Sequence, residues 1–167
     1  MAISYTEKGS GLHTLIASSG YNLYCEAGVW LCSDEVAVQA IIDAYPLSDT
    51  ITEVKDNIDL FARAIFDKAT ATNSAGEMAG WGNLRNEYLS YIAGATQANC
   101  KYITAESTFR NVTFDSLVSK IAANVAKFDY LRALIAGKAG FHKDAVSALA
   151  TFDGVLTYNW TTGWPEI

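Results

Sequence analysis

The chain is poor in the residues that staple, kink or anchor other proteins. It has only three cysteines and two prolines among 167 residues. An odd, small set of cysteines builds no disulfide framework, so Cys25, Cys32 and Cys100 read as buried free thiols of a chain made in a reducing cytosol. With Pro46 and Pro165 the only prolines, nothing between them interrupts a set of helices. Apolar runs such as residues 133–136 fall far short of the roughly 18 uninterrupted apolar residues of a membrane span. Residues 1–8 carry no basic stretch leading into an apolar block, so neither a secretory leader nor membrane insertion is expected.

Positive charge is also scarce. Eighteen acids against 12 bases give a net charge of −6, which disfavours a sequence-independent grip on nucleic acid, since that needs a cationic face. The imbalance is uneven: residues 1–48 carry −4, residues 49–100 carry −3 and residues 101–167 carry +1. Half of the residues are hydrophobic and 12% are aromatic, enough for a real core and incompatible with a disordered or fibrous chain.

Catalytic patterns are missing. There is no dinucleotide or phosphate loop, no Gly-x-Ser-x-Gly and no His-Glu-x-x-His. His13 and His142 are the only histidines, and Asp144, two residues from His142, falls on a different helix face. Cys25, Cys32, Cys100 and His142 lack the paired spacing of zinc ligands. Glu77 and Glu87 on one helix would stand roughly 15 Å apart along its axis, too far to flank one bond. No catalytic, cofactor-binding or metal-binding residue is therefore assigned. The sequons at Asn111 and Asn159 read as chance.

The pattern along the chain expects a mainly helical α+β fold: an N-terminal β module over residues 1–33, then a helical domain over 34–167. Residues 6–12, with Gly9 and Gly11, read as a flexible lead-in. Residues 12–17 read as a strand. Residues 21–25 and 29–32 read as a hairpin whose turn at Ala27-Gly28 places Leu23, Cys25, Trp30 and Cys32 on one face. Ser33 or Asp34 caps a helix ended by Pro46, and Ser48-Asp49 caps a second, carrying Ile51, Val54, Ile58, Phe61, Ile65 and Phe66. Ser74 and Glu77 form a capping box for a third, with Met78, Trp81, Leu84, Tyr88 and Tyr91 on one stripe. Thr104 caps a single turn through Phe109. The last stripe runs from Leu117 to Ile135 and either breaks at Gly137 or continues to Leu149. Ala133, Gly137 and Gly140 give this segment a strip of small residues where another backbone can come close. Trp30, Trp160 and Trp164 are further interface candidates, because such rings supply rigid contact area.

From about Ile58 onward the chain resembles small tail or tail-fibre-associated proteins of tailed bacteriophages and prophages. The likeness is carried by residues 74–81 (Ser-Ala-Gly-Glu-Met-Ala-Gly-Trp), 85–87 (Arg-Asn-Glu), 104–106 (Thr-Ala-Glu) with 111–113 (Asn-Val-Thr), the segment 134–145, and the ending 158–165 (Tyr-Asn-Trp-Thr-Thr-Gly-Trp-Pro). The resemblance implies a non-enzymatic structural subunit of a tail fibre or baseplate, needing no cofactor. It would work as a homo-oligomer, with a trimer favoured, beside other tail proteins, and would be made in the host cytoplasm and located in the virion. Two other functions stay open: a tail-fibre assembly chaperone, or a module binding host surface glycan.

Overall fold

The computed structural model describes residues 3–71 and 75–166, with side chains for all of these except 75–79. It is mainly helical, with one small antiparallel hairpin near the N-terminus and a long C-terminal helix. The order is α1 (Ser10–Ser18), β1 (Leu23–Glu26), β2 (Val29–Cys32), α2 (Glu35–Ala44), α3 (Leu47–Thr70) and α4 (Ala75–Ile92). A 3₁₀ turn (Gln97–Asn99), α5 (Lys101–Phe109), α6 (Phe114–Ser147) and α7 (Phe152–Thr157) follow.

The hairpin forms as its sequence dictates. Leu23 pairs with Cys32 and Cys25 with Trp30, so these four share a face, and Ala27 and Gly28 turn the chain with positive φ of 50° and 81°. Two successive positive-φ residues match the right-handed twist of the flanking strands. Asp34 caps α2 by accepting from the Ala37 amide at 3.0 Å, and the residue before Pro46 leaves the helical region, as a following proline requires. The capping box of Ser74 and Glu77 lies outside the described residues.

Three segments differ from the sequence pattern. Residues 10–18 are helix, not strand: Leu12 and Ile16, both fully buried, stand four apart and satisfy a helical period as well as an alternating one. The Gly9–Gly11 segment is firmly held, for reasons given below. α5 starts at Lys101, three residues before Thr104, because its first amides are capped from elsewhere in the chain. α6 passes through Gly137 and Gly140 without a break and covers 34 residues, about 51 Å at 1.5 Å per residue. All three cysteines are free thiols, yet only Cys100 is buried; Cys25 is exposed on the hairpin.

The chain divides into two units. The first holds the described residues up to Arg63 with Lys138–Trp164. One of its clusters joins Ile3, Leu12, Ile16, Val38, Ile42 and Tyr45, and the other joins Val54, Ile58, Ala139, Val146 and Val155. The second holds Ala64–Gly137 with Pro165 and Glu166, around Leu84, Cys100, Ile103, Phe114, Leu117, Ile121 and Val125.

Candidate functional site

In the first unit Glu53, Lys8, both histidines and three tryptophans are engaged within the chain. The Glu53 carboxylate on α3 accepts from the Ser10 and Gly11 amides at 3.2 and 3.0 Å and from the Ser10 hydroxyl. It thereby caps α1, whose first amides have no partner inside the helix. Burial alone would raise the Glu53 pKa, but these hydrogen bonds outweigh it and hold the carboxyl below its ordinary value. One turn earlier, Thr50 Oγ1 donates to the Lys8 carbonyl at 2.7 Å, and Lys8 Nζ donates to the Ile42 carbonyl at the end of α2. A Cβ at Gly9 would sit 2.8 Å from the Glu53 carboxylate, and one at Gly11 would collide with the Tyr45 hydroxyl. The two glycines are what allow the chain to come this close.

His142 is 2% exposed. A carbonyl can only accept, so Nε2–H donates to Thr162 O at 3.1 Å, and Nδ1 accepts from the Tyr158 hydroxyl at 2.8 Å. Burial pushes its pKa below the ordinary value; the Thr162 carbonyl works against this and Lys138 adds to it. Trp164 stacks on the imidazole with centroids 5.6 Å apart, and its indole N–H donates to the Trp160 carbonyl at 2.8 Å. Both tryptophans meet Phe61 edge-on, at 5.5 and 5.4 Å. His142 is thus the neutral centre of a clasp that holds residues 158–164. His13 is similarly engaged, with Nε2 2.7 Å from the Tyr5 hydroxyl. Trp30 stacks on that same Tyr5 ring at 4.0 Å and is half-buried.

The second unit has its own cap. Glu87 on α4 accepts from the Tyr102 and Ile103 amides at 3.0 and 2.9 Å and so sets the start of α5. Beneath it the Cys100 thiol is buried, and burial, then the nearby Glu87 charge, raises its pKa. A thiol kept neutral in this way is a poor nucleophile. Among the described residues no group of three potential ligands could hold a metal, and no helix is long and apolar enough to cross a membrane.

The surface that nothing in its own unit covers lies on α6. The inward face of this helix carries Leu117, Ile121, Val125 and Phe128. Positions 123, 126, 130, 133, 134 and 137, spaced by three and four, run along the other side. They are Ala123, Ala126, Tyr130, Ala133, Leu134 and Gly137, and every one is exposed. Tyr130 is 68% exposed and Leu134 40%. Among the described residues, apart from the adjoining residues and backbone of α6 itself, no atom lies within 4 Å of where a Cβ on Gly137 or Gly140 would sit. Gly137 and Gly140 therefore make no close contact with another helix among the described residues. Tyr130 and Leu134, which turn the strip into an apolar face, escape a reading that follows only the buried stripe. Their four-residue spacing opposite Phe128 and Leu131 was the available signal.

No family model, no curated protein and no solved structure matches this chain.

Proposed function

We propose that this protein is a non-enzymatic, self-associating structural subunit of a bacteriophage tail, at the fibre or baseplate. One observation carries the self-association: α6 is apolar on two sides, and the outward stripe from Ala123 to Gly137 has no cover in its own unit. An apolar helix stripe is normally covered by a neighbour, and symmetric copies of one chain bury such a face against itself. Ala133 and Gly137 leave room for a second helix to approach closely, and Tyr130 and Leu134 supply the contact area. The tail context rests on the likeness of residues 58–165 to tail proteins. Mass spectrometry of purified particles tests it. A structural subunit is present in a fixed ratio to the major tail protein, whereas an assembly chaperone is made in infected cells and absent from the particle.

A further inference from the structure

A cleft of about 370 Å³ lies in the second unit, between the end of α3, α4 and α6. Its size is that of a small-molecule site. Phe66, Trp81 and Phe128 make the walls, with Phe128 edge-on to Trp81 at 5.6 Å and 6.5 Å from Phe66. The polar lining is cationic in a chain of net charge −6: two guanidiniums, from Arg85 and Arg132, face one carboxylate, Asp129. Arg85 donates from Nη2 to Asp129 Oδ2 at 2.9 Å, which leaves the lining one positive charge in excess. Its Nε is sealed from solvent and has no hydrogen-bond partner among the described residues. A buried N–H without an acceptor is rare and costly. Arg132 is held over the Phe66 ring, its guanidinium carbon 5.0 Å from the centroid, and no carboxylate of the described residues pairs with it.

We infer that this cleft binds a small organic anion, a carboxylate carried on a ring. The carboxylate accepts from the Arg132 fork, the geometry in which a guanidinium recognises a carboxylate best, with the Arg85 charge beside it. The ring lies against the Trp81 and Phe128 walls. Because Arg132 is already positioned by Phe66, little ordering is left to offset binding. The inference is independent of the tail reading: it uses only the lining of the cleft.

The test is a titration of the full chain followed through the side-chain N–H resonances of Arg85 Nε and the Trp81 indole. The probes are benzoate, its neutral analogue benzamide, acetate, which has the charge without the ring, and glucuronate. Benzoate should shift both resonances saturably and bind at least tenfold tighter than benzamide or acetate. Arg132→Gln, a change at an exposed position, should weaken benzoate at least tenfold and leave benzamide unchanged. Glucuronate binding as tightly as benzoate assigns the site to acidic sugars; weaker binding assigns it to aryl carboxylates. Benzoate that binds no better than benzamide and acetate, or that ignores Arg132→Gln, overturns the inference.

Discussion

Gly9 and Gly11 of the first unit and Gly137 of the second stand in opposite settings, and so do the tail tryptophans and Tyr130. In the first, Gly9 and Gly11 stand where a Cβ would meet Glu53 or Tyr45, and Trp160 and Trp164 close over His142 and Phe61. In the second, Gly137 has open space where its Cβ would be, and Tyr130 and Leu134 face away from the core. The first unit uses these residues to complete its own packing. The second leaves them on one face of one helix, which is where a partner copy would use them. A glycine explained by its own chain marks a folding constraint. Gly137, costing roughly 1 kcal/mol of helix stability against alanine with no such neighbour, is accounted for by the assembly proposed above.

The capping glutamates sharpen the contrast. Glu53→Ala should destabilise by about 3 kcal/mol, because two amides and the Ser10 hydroxyl lose a charged acceptor in a half-buried setting. The cap also has a pH signature. The folded carboxyl titrates below its unfolded value of about 4.3, so its contribution is complete above that value and is lost as pH falls further. Thermal melts from pH 6 to 3 should show an acid limb in wild type that is shallower in Glu53→Ala. Gly11→Ala comes next, at about 2 kcal/mol of overpacking against Tyr45. Glu87→Ala should cost about 1–2 kcal/mol, as the cap of a nine-residue helix. If Glu87→Ala proved more damaging than Glu53→Ala by chemical denaturation, the ranking of the two caps would be reversed.

Much of this was legible in the sequence. Ala27-Gly28 set the hairpin register, Asp34 and Pro46 bounded α2, and the stripe from Leu117 to Ile135 marked α6. What escaped depends on distant partners. The Gly9–Gly11 segment looks loose because the carboxylate that fixes it is 42 residues away from Gly11, and α5 begins early because its cap comes from Glu87, 15 residues before Tyr102. His142 gave no local sign of burial, since its partners Tyr158 and Thr162 lie in the tail. The continuity of α6 through Gly137 is a tertiary outcome that helix propensity alone leaves open.

The smallest expected effect has the opposite sign. Gly137→Ala should stabilise the folded chain by about 0.5–1 kcal/mol, because the added methyl meets none of the described residues beyond its own helix and the unfolded state loses freedom. A destabilised Gly137→Ala would mean that the position is packed after all.

The claim that the outward face of α6 joins copies of the chain is tested most directly by sedimentation equilibrium on wild type and Leu134→Glu. Leu134 is outside the core, so the substitution should leave the helical circular dichroism and melting of the monomer intact. The account predicts a wild-type mass that is a multiple of 18.1 kDa and a Leu134→Glu mass reduced to that of the single chain. A wild-type protein that sediments at 18.1 kDa at every concentration, or an assembly that Leu134→Glu does not disturb, would contradict it.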